Sequence, residues 1–314
     1  MNYLKKLLTL GVIFMSTVSF NPILKPANTE IPSRDEIMRT IDLDILSIIP
    51  KGYFYGKDSV SAFLNLLNDY PVEDLRNIVK DFFNLKDKIF KDAFKNQVIR
   101  QYVVTAGGPG SGKSTILENY LKENPGFAYI DPDRSCLLHM ENTYNKYILS
   151  HTPQESYEKW RNASNFIANV LMCYALEEGY NIAHGATMTS PYSVNEFEAL
   201  KGYKYNRKIL HINCPDELRI DSEKTRRESG IFLCSDIDFV NKGEDFFKRL
   251  EDYIKNSEEI DFYFRCDMKT YLKVAKKHSG KIYIIDGKGY ETIKEMHNIR
   301  MKDDSYWQKS LGRL

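Results

Sequence analysis

A run of glycines between an apolar stretch and a helix-compatible one constrains this chain more than any other feature. Residues 102–115 read Tyr-Val-Val-Thr-Ala-Gly-Gly-Pro-Gly-Ser-Gly-Lys-Ser-Thr. They fit the G-x-x-x-x-G-K-[ST] pattern with Gly107, Gly112, Lys113 and Ser114 in register. The β-rich run Tyr102–Ala106 enters the loop and a helix-compatible run, Thr115–Lys122, leaves it. Glycines let the backbone turn sharply, so that successive N–H groups face phosphate oxygens at a helix N-terminus. The nucleotide-binding set is therefore Gly107, Gly108, Pro109, Gly110, Ser111, Gly112, Lys113, Ser114 and Thr115. Lys113 is expected to reach the β and γ phosphates, and the Ser114 hydroxyl to complete the shell of a Mg²⁺ ion. The expected ligand is a nucleoside triphosphate, with ATP and Mg²⁺ as cofactors.

With 314 residues and 42% hydrophobic content the chain can bury a full core, with room for an extra segment beside one α/β domain. Charged residues are 28% and the net charge is +1, which argues against disorder and against a general nucleic-acid footprint. Cys136, Cys173, Cys214, Cys234 and Cys266 form no CxxC pair, and their odd number argues against a full disulfide framework. No metal-ligand spacing appears among cysteines or histidines.

At the N-terminus, Lys5 and Lys6 precede an uncharged, mostly apolar run from Leu7 to Phe20. As a helix this run spans roughly 21 Å, short of the roughly 30 Å of a bilayer core. A basic start followed by a short apolar stretch reads as a secretory signal over residues 1–20, making the chain exported or secreted. A membrane anchor or a buried helix in a cytoplasmic protein are the alternatives. Residues 21–32 read as a linker. Residues 33–100 read as a helical extension: Ser33 with Glu36 is a capping-box signature, and Leu75, Ile78, Val79, Phe82 and Phe83 share one helical face, continued by Ile89, Phe90 and Phe94. The extension either packs on the core or binds a partner.

From residue 101 to 290 strands alternate with helices. The strand candidates are Tyr102–Ala106, Phe127–Asp131, Asn181–His184, Ile209–Asn213 and Lys281–Asp286, with a long helix over Pro153–Glu178. This alternation predicts a P-loop NTPase three-layer α/β sandwich around a parallel, roughly five-stranded sheet with right-handed crossovers. Residues 291–314 form a tail or helix. Ligands of open α/β sheets bind at the carboxyl ends of strands, and polar groups stand there: Asp131-Pro132-Asp133-Arg134, His184-Gly185-Ala186-Thr187, Asn213-Cys214-Pro215-Asp216 and Asp286-Gly287. Asp133, in a proline turn, is the candidate base for an attacking hydroxyl. Arg226 and Arg227 are candidates for neutralising transferring phosphate, with Arg219 a weaker one. The basic and aromatic run Lys201–Lys208 reads as a solvated loop, and His211 as a core residue.

These motifs resemble the zeta-toxin family of P-loop kinases. The family's G-x-P-G-[SA]-G-K-[ST] loop is similar to Gly107–Ser114, its I-D-x-D turn to Ile130-Asp131-Pro132-Asp133, and its N-hydrophobic-hydrophobic-x-[ED]-G-T segment to Asn181–Thr187. Gly202-Tyr203 and the lid arginines Arg226 and Arg227 continue the match, which covers roughly residues 100–290. The resemblance implies transfer of the ATP γ-phosphate to a hydroxyl, in toxin members the 3′-hydroxyl of UDP-N-acetylglucosamine. By matching positions it assigns Asp133 as base, Lys113 and Ser114 to phosphate and Mg²⁺, Arg226 or Arg227 to the transferring phosphoryl group, and Thr187 to the acceptor or a metal-bound water; the candidate acceptor-binding residues are Asp133, Arg134, His184 and Thr187. One departure stands out. The family's acidic residue before Gly-Thr is absent, and Gly185 occupies its place, or His184 if the turn is one residue longer. A protein or nucleic-acid acceptor, or a nucleotide-dependent switch acting through residues 33–100, are the rival readings. The sequence identifies no inhibitor or host partner and no specific nucleic acid.

Overall fold

The strand that feeds the glycine loop is also the middle of the molecule. In the computed structural model, which describes residues 53–54, 57–58, 66, 69–96, 98–191, 193–229 and 235–311, β1 (Arg100–Ala106) is buried from Tyr102 onward. Around it lie β2 (Ala128–Ile130), β3 (Ile182–His184), β4 (Tyr205–Asn213), β5 (Glu259–Arg265), β6 (Tyr271–His278) and β7 (Lys281–Ile284). Seven strands form one sheet in the order β2-β3-β1-β4-β5-β6-β7. β2, β3, β1, β4 and β5 are parallel, and β6 and β7 are each antiparallel to the strand before them. The fold is a P-loop NTPase-like α/β fold with a mostly parallel sheet.

Alternation along the strands sends side chains to two cores. Val103, Leu210 and Ile212 meet Ile116 and Leu117 of α2 (Lys113–Glu123) on one face. Tyr102, Val104, Ala106 and Ile209 join the larger core on the other. That core includes α3 (Pro153–Glu178) and α4 (Ser193–Gly202). α3 begins at a complete capping box, with Thr152 and Glu155 each accepting from the other's backbone N–H. It ends at Gly179 in the left-handed region, φ 76°.

The N-terminal extension is part of this body wherever it is described, and it is not all helix as expected: Tyr53–Phe54 pairs antiparallel with Lys57–Asp58 in a separate two-stranded sheet beside α3 and α4. α1 (Val72–Phe90) buries Leu75, Ile78, Phe82 and Phe83, the face read from the sequence. It packs on β2, α3 and the turn after β2. Asp81, fully buried, fixes the helix by accepting from Asn142 N (2.8 Å), Asn142 Nδ2 (3.0 Å) and Thr143 Oγ1 (2.6 Å). Phe94 falls after the helix, where its N–H and C=O bond Gly126 and Asn181 below the sheet. The expected signal, linker and Ser33–Glu36 capping box lie outside the described residues.

Several expectations need correcting. The fifth parallel strand is Glu259–Arg265, whereas the predicted Lys281–Asp286 strand is the outer β7. Asp261 disguised β5, for it interrupts the apolar run yet is buried between Lys208 (2.9 Å) and Lys273 (2.8 Å). Asp286 is no strand-end ligand group: it accepts from Lys288 N and Gly289 N and so caps α8 (Gly287–Met301). The run Lys201–Lys208 is also less of a loop than expected, because β4 already begins at Tyr205 and Arg207 is buried against Glu258. Of the two readings of the C-terminal segment the structure has the helix: Trp307 of α9 (Tyr306–Leu311) is fully buried and its Nε1 donates to Tyr290 Oη at 3.1 Å.

His211 is a core residue, as expected, and it has a companion. Its ring stacks on His297 with centroids 5.5 Å apart, and Asn213 bonds both rings at 3.0 Å. Burial drives His211 down to about 3 and His297 well below its ordinary value. Both are neutral in the fold and take up protons once unfolded. Their contribution to stability is therefore complete above pH ~6.5 and is lost as pH falls toward the folded values. We expect unfolding free energy measured by urea melts to fall between pH 7.5 and 5, and the His211→Phe variant to show a shallower slope over that range.

Candidate active site

The glycine loop carries almost no side chains, so its shape must be imposed by neighbours. Its first amide, Gly107 N, donates to Thr187 O (3.2 Å), which ties the loop to the segment after β3. Two buried arginines then hold the next carbonyls. Arg219, on α5 (Asp216–Glu228), donates from Nε to Pro109 O at 2.9 Å. Arg265, the last residue of β5, donates from Nη1 to Gly110 O at 2.7 Å. Each guanidinium is fixed in turn: Arg219 by Asp216 (2.9 Å) and Phe239 O (2.8 Å), Arg265 by Ser222 Oγ (2.7 Å), Asp267 O (3.0 Å) and Met268 O (3.0 Å).

Within a planar peptide the C=O and the following N–H point opposite ways. Holding Pro109 O on Arg219 therefore turns the Gly110 N–H away from that guanidinium. Gly110 itself needs to be glycine: its φ is 77°, and a Cβ would meet the Arg219 backbone oxygen at 2.6 Å. Tyr271, on β6, lies with its hydroxyl against Gly112 at the loop's end.

The residues fit a triphosphate. α2 starts at Lys113 with Gly112 as its cap residue and no side-chain cap, leaving the helix N-terminus open to an anion. Lys113 Nζ donates to Gly108 O (2.8 Å), folded back along the loop it would serve. Ser114 is half-buried and Thr115 exposed. Ser111 is buried, and its Oγ has no hydrogen-bond partner among the described residues. No cluster of three or more His, Cys, Asp or Glu suited to a metal occurs among the described residues. The Ser114 hydroxyl is an oxygen donor of the kind a phosphate-bound hard cation takes.

At the same edge of the sheet, Ile130 delivers a tight turn. Asp131 Oδ1 accepts from Asp133 N (2.8 Å) and Arg134 N (2.9 Å), and Tyr129 Oη donates to Oδ2 (3.2 Å). Burial pushes the Asp131 carboxyl above the usual carboxylate range, against the pull of these donors and of the nearby arginines. Asp133 is partly exposed and pairs with Arg161 of α3; Arg134 is exposed. A side chain at 185 would run into Asp131 Oδ2. The absent acidic residue is thus absent for a steric reason, and Asp131 brings a carboxyl to the space beside Gly185.

His184 does not join the acceptor group expected for it. Its ring is buried, with Nδ1 2.7 Å from Tyr102 Oη and 2.9 Å from Glu196 Oε1. A β-strand alternates faces, and His184 is turned into the core beneath α4. Thr187 is half-buried, bonded to Thr189 (3.1 Å), and its backbone oxygen is the one that holds Gly107. Arg226 and Arg227 fall on the last turn of α5, Arg226 against Glu223 (3.2 Å) and Arg227 exposed. Of the helix's arginines it is Arg219 that grips the loop.

Comparison with known proteins agrees with this architecture. A family model described as an AAA domain matches residues 103–238. The chain is similar to a structure from the PezAT chromosomal toxin–antitoxin system of Streptococcus pneumoniae, with TM-score 0.50 and 18% identity over 71% of this chain and 96% of that one. It is also similar to the AvrRxo1-ORF1:-ORF2 complex, with TM-score 0.52 and 12% identity over 76% of this chain and 84% of that one. At such identities the likeness is one of fold. No curated protein matches the chain by sequence.

Arg265, Tyr271 and Arg161 were missed from the sequence. Arg265 would have been found by asking which polar residue ends each strand, had β5 been seen. Its fork of donors serves four acceptors at once, a task a point-charge ammonium cannot perform. We expect Arg265→Lys to weaken ATP binding by about tenfold, near 1.4 kcal/mol, and Arg265→Ala by at least as much, as read by calorimetry. Unchanged affinity in both would mean the loop holds its shape unaided.

Proposed function

We propose that the protein is an ATP- and Mg²⁺-dependent phosphotransferase acting on a hydroxyl. The observation that carries this reading is the pairing, at one sheet edge, of a phosphate loop braced by two arginines with an aspartate turn braced by Asp131. In the reaction the acceptor oxygen bonds to the γ-phosphorus, the bond from that phosphorus to the β–γ bridging oxygen breaks, and ADP departs. The acceptor's proton passes to the Asp133 carboxylate. Bound Mg²⁺ would supply charge neutralisation, with Ser114 as its protein ligand. Lys113 would swing from Gly108 O to the phosphates, and Arg226 or Arg227 would offset charge on the transferring group. Positioning and charge stabilisation do most of the work in phosphoryl transfer.

For the acceptor, UDP-N-acetylglucosamine is the first compound to test, from the resemblance of residues 107–114 and 130–133 to zeta toxins. Thr187 and Arg134 are the side chains best disposed to meet it. The toxin–antitoxin origin of a structure of similar fold makes an inhibitor protein a further expectation, and the basic and apolar start of the chain makes export another. No helix among the described residues is long and apolar enough to cross a membrane.

Transfer from γ-labelled ATP to UDP-N-acetylglucosamine, other sugar nucleotides and a cell extract tests the proposal. Lys113→Ala and Asp133→Ala are each expected to reduce labelling by about 10²- to 10⁴-fold. Full activity of Asp133→Ala would remove Asp133 as base. ATP binding with no transfer to any acceptor would favour a nucleotide-dependent switch.

A further inference from the structure

Asp133 meets one side chain that the reaction so described does not use. Arg161 reaches it from α3, a helix whose position is firmly set. The adjacent Trp160 is buried and stacks on Tyr70 with centroids 5.3 Å apart. One turn earlier, Tyr157 lies under the Arg161 guanidinium, 5.3 Å from its ring centroid. α3 also packs on the Pro132–Cys136 turn itself. The backbone of Asp133 is held by Asp131, but its carboxyl is a third exposed and has rotamer freedom that its backbone contacts do not remove.

We propose that Arg161 is the positioning residue of Asp133, fixing one carboxylate oxygen so that the other faces the acceptor hydroxyl. This rests on the phosphotransfer reading. An ion pair this exposed adds about 0–1 kcal/mol to stability at most, so the pair has little value as a fold brace. Its geometric value is larger. The guanidinium is a planar fork that sets a carboxylate's direction, and a misplacement of about 1 Å at a reacting group lowers rate by about 10²-fold. A cation beside a base also weakens its affinity for a proton. In a loose transition state that weakening matters less than direction.

Among the described residues, Cys136 lies at the end of the Asp133 turn, its thiol pushed up by burial, and Tyr157 lies under the Arg161 guanidinium. Asp131 and Arg134 lie on its own turn, Tyr129 on β2 and Arg161 on α3. On α1, packed against the same turn, the buried Asp81 is committed to Asn142 and Thr143. Of these, Arg161 is the one in direct ionic contact with Asp133.

The test measures γ-phosphate transfer from ATP with Mg²⁺, to UDP-N-acetylglucosamine and to water, for the full chain and for Arg161→Ala, Arg161→Lys, Asp133→Asn and the Arg161→Ala/Asp133→Asn double variant. Arg161→Ala should lower kcat by about 10- to 100-fold with KM for ATP within about twofold. Arg161→Lys should restore only part of kcat, because it returns the charge without the planar fork. The double variant should be no slower than Asp133→Asn, as for two groups acting as one. An active Arg161→Ala beside a dead Asp133→Asn would overturn this inference and leave the phosphotransfer reading intact, as would additive losses. Full transfer by Asp133→Asn would overturn this inference together with Asp133 as base, whereas ATP binding with no transfer by the unaltered chain would overturn the phosphotransfer reading.

Discussion

The carbonyl oxygens of Pro109 and Gly110 rest on two buried guanidinium groups, and the candidate site depends on that contact. A loop of glycines has few side chains with which to hold itself, and an unrestrained loop would lose much conformational entropy on binding a triphosphate. Arg219 and Arg265 come from different layers, one from the helix after β4 and one from the end of β5. The loop's glycines permit its turns, and the closed fold fixes which of them it takes. Arg219 extends the connection outward. It shares Asp216 with Arg300, which pairs in turn with Glu244 of α6 (Asp236–Lys248), so α5, α6 and α8 are fastened to the phosphate loop through one chain of charges.

The acceptor side is built by a comparable economy of space. Asp131 spends its oxygens on the turn that presents Asp133, and only a glycine at 185 leaves room for it. The segment that carries Gly185 then runs between β1 and β2, with Gly185 N on Ile130 O (2.9 Å) and Ala186 O receiving the Thr105 hydroxyl (2.8 Å), before Thr187 O takes the Gly107 amide. Phosphate loop and aspartate turn are therefore joined by one short backbone path. α1 packs against the outside of the aspartate turn, which makes the N-terminal helix part of the site's foundation.

Much of this was legible before any coordinates. The glycine loop, α3 and four of the parallel strands were readable because their signals are local: turn-forming glycines, and short apolar runs alternating with helix-compatible stretches. The buried face of α1 was readable from helical period alone. What escaped was non-local. Asp261 concealed β5 because its two lysine partners come from β4 and β6, and Arg265 was lost with that strand. Arg161 gave no signal, since its meaning depends on a helix crossing a turn far away in sequence. His184 misled in the opposite direction: a polar residue at a strand end reads as a ligand group until Tyr102 and Glu196 are seen to enclose it.

The most direct measurement is a crystal structure of the protein with Mg²⁺ and a non-hydrolysable ATP analogue. The account predicts phosphates in the loop, Lys113 Nζ moved from Gly108 O onto them, and Pro109 O and Gly110 O still on Arg219 and Arg265. A triphosphate bound elsewhere, or a loop that releases both arginines to receive it, would contradict the account.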